Sequence, residues 1–432
     1  MYASLLPPAP QQTGGASSAR NAAESYEKAA AECRAKVARI RRECERTNEK
    51  FTDPDFDVES DLQPGLKYCL YGLLEGDCPE PVTPREVADA IDVLGRVPPG
   101  AGKSVHPLVP SLADDQVRSF GVGALRHVLD PDSEDEGPPS YRPKSVHRVD
   151  WIFDKPAFTV DGFSSSDIEQ GAIGDCWFMA AVANIAHRRD LMDRVCVAKD
   201  EECGVYGFVF HRDGEWISTV IDDNLYLSKH DFDDEGDTYD PAGKREQEHK
   251  ERWQSGSKAL YFGRCTDPNE TWLPLLEKAF AKAHGDYSAI TGGAVGDGME
   301  DLTGGVNTAL RLNRVLKKDK LWKELLQSSQ EGSEFVFALS KWSGDDSDAR
   351  NGLTTGHAYS VIDAREEEDK DGTIVRLVKI RNPWGSADRR GVGEWKGPWY
   401  VILGNFHSRV RARQFLTFSQ VRRVQELEHL LD

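Results

Sequence analysis

Apolar residues recur along this chain with two different periods. Tyr26, Ala30, Cys33, Val37, Ile40 and Cys44 follow one another at spacings of four and three, which predicts a helix with a single apolar seam. That seam must be covered. Packing on the chain's own body is favoured, because alanine and cysteine make a weak coiled coil; a protein partner for an amphipathic helix over 24–50 is the other way to cover it. Further on, "GVYGFVFHRDGEWISTVIDD", "EFVFALSKW", "HAYSVIDA" and "VRLVKIRNPW" are apolar runs of strand length, interleaved with the helical patterns "CWFMAAVANIAH" and "TWLPLLEKAFAKAHG". Strands and helices mixed in this way predict an α+β fold, not a doubly wound sheet.

The pattern also divides the chain. Residues 1–21 are rich in Pro, Gln, Gly and Ser and are expected to be disordered, since they bury too little to offset their ordering entropy. Residues 22–108 read as a helical N-terminal extension; in "TPREVADAIDVL", Thr83, Pro84 and Glu86 form a capping box with proline at the first helical position. Residues 109–148 include "LDPDSEDEGPPSYRPKS", an acidic, proline-rich linker. The main body starts near Val149. "REEEDKDGT", between two strand runs, reads as a solvated hairpin tip.

Composition narrows the function. The chain has 432 residues and a formal net charge of −19, a field that repels phosphate backbones and argues against a nucleic-acid partner. No apolar run approaches the roughly 20 residues that span a bilayer. The cysteines at Cys33, Cys44, Cys69, Cys78, Cys176, Cys196, Cys203 and Cys265 form no C-x-x-C pair, and "MYASLLPPAPQQTGG" lacks the basic and apolar parts of a secretion signal. A reducing, cytoplasmic (intracellular) location is expected.

Two motifs fail on inspection. "GRVPPGAGKS" ends like a phosphate-binding loop, but Val97 stands where its first glycine belongs, and Pro98 and Pro99 remove amide donors. "DFDDEGDTYDPA" imitates a calcium-binding EF-hand loop, but Ala242 takes the place of the bidentate carboxylate and Pro241 precedes it. A third constellation holds together. In "IEQGAIGDCWFMAAVANIAHR", Gly171, Gly174 and Asp175 turn the chain into a helix that starts at Cys176, where the dipole favours a thiolate. Gln170 offers a side-chain amide to an oxyanion. "TTGHAYSVIDA" supplies His357 at the start of a strand. "KIRNPWG" supplies Asn382 to orient the imidazole and Trp384 to shield that bond. Each has an ordinary structural explanation alone, but three coincident segments favour a cysteine nucleophile.

"QGAIGDCWFMAA", "GHAYSV" and "IRNPWG", in this order, resemble the catalytic blocks of the calpains, calcium-dependent papain-like cysteine proteases. The likeness extends through "GEWISTVIDDNL", "LLEKAFAKAHGDYSAITGGAVGDGMEDLTGG" and "FLTFSQVRR", covering about Asp150 to Leu427. It implies a two-subdomain core, with Cys176 in subdomain 1 (149–292) and His357 and Asn382 in a β-rich subdomain 2 (293–432). It also implies limited endoproteolysis of intracellular proteins through a Cys–His–Asn triad and an acyl-enzyme. The β-sandwich and EF-hand modules that follow this core in many calpains are not expected within these residues.

The resemblance further implies a Ca²⁺ site in each subdomain. At the positions of the first site stand Val160 and Gly162, offering carbonyls, with Asp167 and Glu270, offering carboxylates; all are hard oxygen donors. At the second, Glu394 matches one ligand, Val401 replaces an acidic one, and Arg411 and Arg413 occupy what is usually an acidic loop. One core calcium site is therefore expected, with the second lost. The alternative function is a catalytically weak calpain-like interaction protein.

Overall fold

The computed structural model describes residues 16–60, 69–70, 73, 143–186, 188–234, 240–328, 335–341, 356–368, 372, 374–385 and 419–423. The chain forms two compact units, one made of Met1–Cys69 with Pro143–Asp432 and the other of Leu70–Arg142. All elements named below belong to the first. The helix expected at 83–94, the "GAGKS" segment, Glu394, Val401, Arg411 and Arg413 lie outside the described residues.

Helix α1, Ala16–Thr47, begins within the segment expected to be disordered, in an alanine-rich stretch with high helix propensity. Its seam is used internally. Tyr26, Ala30, Cys33, Val37 and Cys44 are buried in one cluster with Val205, Val209 and Val220, so the expectation of a protein partner on 24–50 is not supported. Small residues let the helix approach closely: a side chain at Gly207 would put its Cβ 2.5 Å from the Cys33 sulfur. At one end Tyr26 donates its hydroxyl to the Arg194 carbonyl at 3.1 Å and meets Trp216 edge-on.

Those valines belong to an antiparallel sheet of β3 (Cys196–Asp200), β4 (Val205–Arg212) and β5 (Glu215–Asp222), in the order β3-β4-β5. Side chains alternate across a strand. In β4, Val205 and Val209 join α1, whereas Phe210 meets Phe280 edge-on at 5.5 Å from the opposite side. Strand β1 (Ser145–Arg148) pairs with β6 (Asn224–Leu227). The linker assigned to 109–148 therefore stops short of Ser145, because Arg148 reaches Asp223 at 2.5 Å and Lys144 donates its backbone N–H to Leu227.

Two helices follow the sequence pattern, α2 (Cys176–Ile185) and α3 (Trp272–His284), and a third that the pattern did not announce, α4 (Val295–Thr303), comes after them. α2 is apolar all round except for Asn184 and buried from Trp177 to Ile185, as expected of a core helix. Phe178 stacks on Phe280 at 4.1 Å, and Trp177 donates to the Ile290 carbonyl at 2.8 Å. Buried charge is paired. Lys278 of α3 donates to Asp222 at 2.5 Å and to the Asn224 carbonyl at 2.8 Å, both partners fully desolvated. Lys282 meets Asp53 at 2.6 Å, and Asp222 accepts the Asp53 amide at 2.7 Å. The stretch after α1 is stitched into the same core.

A second antiparallel sheet runs β11-β10-β9-β8, from β8 (Ala338–Lys341), β9 (His357–Glu368), β10 (Ile374–Arg381) and β11 (Ser419–Arg423). β9 and β10 form the expected hairpin, with a register shift between Lys379 and Ile380. Helix α5 (Lys318–Ser328) supplies Trp322 to a small core with Tyr359, Ala364, Val378 and Ile380. The mixture of helices and antiparallel sheets is the α+β class expected. Among the described residues no helix is long and apolar enough to cross a membrane.

Candidate active site

Cys176 opens α2, and Asp175 holds the N-cap position without capping a helix amide through its side chain. The thiol is partly buried. Burial pushes its pKa above the ordinary value, and the Asp175 charge adds to that; the backbone amides of Ala358, Trp177 and Cys176 itself pull it back down. Ala358 is the residue after His357, so the sulfur lies against the strand that carries the imidazole. Ser360, two residues further on, donates its hydroxyl to the Ala180 carbonyl of α2 at 2.9 Å. β9 is thereby tied to the helix that Cys176 begins.

His357 is the first residue of β9 and is buried. Its Nε2 lies 2.8 Å from Oδ1 of Asn382, the residue just after β10. The same Oδ1 accepts the Trp384 backbone N–H at 3.0 Å. An atom that accepts from an amide is the carboxamide oxygen, so Nε2 carries hydrogen and the basic lone pair of neutral His357 falls on Nδ1. Trp384 covers the imidazole at 4.4 Å between centroids, and Tyr359 meets it edge-on at 4.9 Å. The ring is fixed in tautomer and in plane. His357, Asn382 and Trp384, picked out in the sequence, come together here, and Tyr359 joins them.

Gln170 follows the short strand β2 (Ile168–Glu169), which pairs with β7 (Arg264–Cys265). Its side chain is buried, and Nε2 donates to the Ile173 carbonyl at 2.8 Å. The amide thus braces the turn that delivers Cys176. Behind that turn is a group the sequence reading missed: Asp175 and Glu277 are both fully buried, and their carboxyls face each other. Burial is the main cause that raises both pKa values. One shared proton satisfies oxygens that otherwise find no donor. Glu277 also accepts the Gly263 amide at 2.7 Å. The available signal was an acid in a helix whose residues three and four positions away, Leu273, Pro274, Phe280 and Ala281, are all apolar.

The residues expected to hold calcium come together only in part. Glu270 accepts the Val160 amide at 2.8 Å, so it faces the loop that contains Gly162. Burial, with the charges of Asp167 and Asp267, raises Glu270 to about 7. Asp167 is raised to about 6, mainly by burial. A hard cation would relieve this crowding, and two carboxylates beside backbone carbonyls suit calcium in kind. Among the described residues no three or more His, Cys, Asp or Glu side chains converge as a metal cluster. Calcium there would need most of its oxygens from backbone carbonyls. The acidic loop from Asp231 is used otherwise: Asp231 bonds His147 at 2.6 Å and Gln254 at 2.7 Å.

A helix-terminal thiol lies against the strand whose first residue is an imidazole held by a carboxamide, the residue types that thiol-dependent acyl transfer uses. The chain belongs to the calpain family of cysteine proteases, whose family model matches residues 134–405. It is 34% identical over 271 residues to the calpain-2 catalytic subunit of Gallus gallus, covering 61% of this chain and 33% of that protein. It is 32% identical over 264 residues to the calpain-type cysteine protease ADL1 of Oryza sativa subsp. japonica and 33% identical over 264 to DEK1 of Arabidopsis thaliana. In both cases the match covers 60% of this chain and 10% of the relative. The chain thus matches about a third of the animal protein's length and a tenth of the plant ones.

Proposed function

We propose that the chain is a calcium-dependent cysteine endopeptidase that performs limited proteolysis of intracellular proteins, with Cys176, His357 and Asn382 as its triad. What carries this reading is the Cys176 sulfur beside the Ala358 amide, next to an imidazole whose Nε2–H is held by Asn382. His357 Nδ1 takes the thiol proton, and the thiolate attacks the peptide carbonyl. The Cys176 amide and the Gln170 carboxamide receive the oxyanion. Imidazolium then protonates the departing amine. Water, deprotonated by His357, attacks the acyl-enzyme, the C–S bond breaks and the thiol regains its proton. Asn382 holds the tautomer throughout, and Trp384 keeps water from that bond. Calcium, held by Val160 and Gly162 carbonyls with Asp167 and Glu270, would supply positive charge to the loop leading to Gln170. A reducing compartment belongs to the proposal, because the nucleophile is a free thiol.

One observation favours the second reading, a catalytically weak interaction protein: Gln170 Nε2 donates to the Ile173 carbonyl, and oxyanion donation requires it to turn. Cleavage of casein or a peptide, with calcium and with chelator, separates the two. The protease reading expects calcium-stimulated cleavage that Cys176→Ser abolishes. Undetectable cleavage in both conditions, or cleavage that survives the substitution, sinks it.

A further inference from the structure

Arg381 ends β10 and is 3% exposed. Its guanidinium donates through Nη2 to the Ser166 carbonyl at 3.1 Å and to the Ile168 carbonyl at 2.6 Å, gripping the backbone on both sides of Asp167. The next residue, Asn382, holds His357. The one after it, Pro383, accepts the Gln170 backbone N–H at 2.8 Å. Gly385, at φ +74°, lies so close to Glu169 that a Cβ there would sit 2.5 Å from the Glu169 Cγ. One short segment therefore grips 166–170, orients the base and pins the residue that begins the turn to Cys176.

We infer that Arg381 is a positioning residue: its two bonds to the Ser166 and Ile168 carbonyls set where Asn382, and hence His357, stands relative to Cys176. The inference rests on the Cys–His chemistry proposed above. A backbone carbonyl moves only when the chain moves, so these bonds report the position of the whole 166–170 stretch to the imidazole. The bonds need a donor that reaches two carbonyls at once from a buried site. A planar guanidinium does this with fixed geometry, whereas a lysine ammonium is a flexible point charge. Asn382 has no slack of its own, because its Oδ1 is already shared between His357 and the Trp384 amide. A shift of Arg381 is therefore passed on to the ring.

The test uses the full chain as wild type, Arg381→Lys and Gly385→Ala, the last of which forces 381–385 away from 166–170 without touching the guanidinium. Three quantities are measured in calcium-containing buffer: kcat and KM per titrated active site on a fluorogenic peptide, the pH dependence of Cys176 alkylation by iodoacetamide, and the melting temperature. Both variants should lose about 10- to 100-fold in kcat, the scale of a misplaced reacting group, with KM nearly unchanged. Both should also lose the rapid alkylation below neutral pH that marks a thiolate paired with imidazolium. A lowered melting temperature with unchanged kcat per site and an unchanged alkylation profile would make Arg381 merely structural. If Arg381→Lys does not fold, Gly385→Ala decides by the same criteria. A wild type that neither cleaves nor alkylates below neutral pH overturns the protease reading itself, and this inference with it.

Discussion

The two groups proposed to react are held by opposite means. Cys176 stands at the end of a helix whose other residues are all buried, wedged by the Phe178–Phe280 stack and by Trp177. No single atom fixes the thiol; a dry, close-packed core does. His357 starts a strand in a sheet with a much smaller core, and a few directional bonds around Asn382 hold it. Packing tolerates the loss of one neighbour at a cost in stability, whereas a lone hydrogen bond either aims the ring or does not. Substitutions on the thiol side should therefore appear in unfolding, and those on the imidazole side in turnover.

The sharpest trial is Phe280→Ala. It removes the ring that Phe178, Trp177 and Phe210 all meet and should cost about 3–5 kcal/mol in urea unfolding, with kcat per folded molecule nearly retained. A cost below that of Ile380→Ala, in the smaller core, would break the comparison. Asn382→Ala should do the reverse. Losing the partner that fixes the His357 tautomer should cut kcat about 100-fold or more while the melting temperature barely moves; a large fall in melting temperature would show that packing holds the base too. Trp384→Leu keeps bulk but loses the aromatic face over His357. On the scale of about 1 kcal/mol for such a pair, kcat should fall about five-fold, and an unchanged kcat would show that the ring does not shield the imidazole.

How much of this was legible in the sequence follows the same division. Cys176, Gln170, His357, Asn382 and Trp384 lie in short segments whose local pattern states their element: a glycine-flanked helix start, a strand start, a strand end. The α1 seam was equally plain in Tyr26, Ala30, Cys33 and Val37. What covers it was not, because burial against β4 and β5 joins residues far apart in the chain. Arg381 escaped notice for a related reason. Its acceptors are backbone carbonyls, which leave no trace in residue identity. The end of the linker was misplaced because "KSVHR" is too short and polar to announce a strand, and only pairing with β6 makes it one.

The smallest effect belongs to the acid pair behind Cys176, and it tests whether the thiol side is governed by packing alone. Asp175 and Glu277 both have pKa values above their ordinary ones, mainly through burial. Above the ordinary carboxylate range the unfolded chain has released protons that the native pair keeps. Native binding then exceeds unfolded binding, and the pair's contribution to stability falls as pH rises from about 4 toward neutrality. Glu277→Gln keeps a hydrogen-bond donor for Asp175 and removes one ionisable group. Urea unfolding of wild type and variant across that range should show the variant gaining on the wild type as pH rises. The Asp175 charge is also one of the forces that raise the Cys176 thiol, so the pH profile of Cys176 alkylation should shift with the substitution. Parallel stability curves and an unmoved alkylation profile would mean that the proton is not shared, and that electrostatics behind the nucleophile adds nothing to what its core already provides.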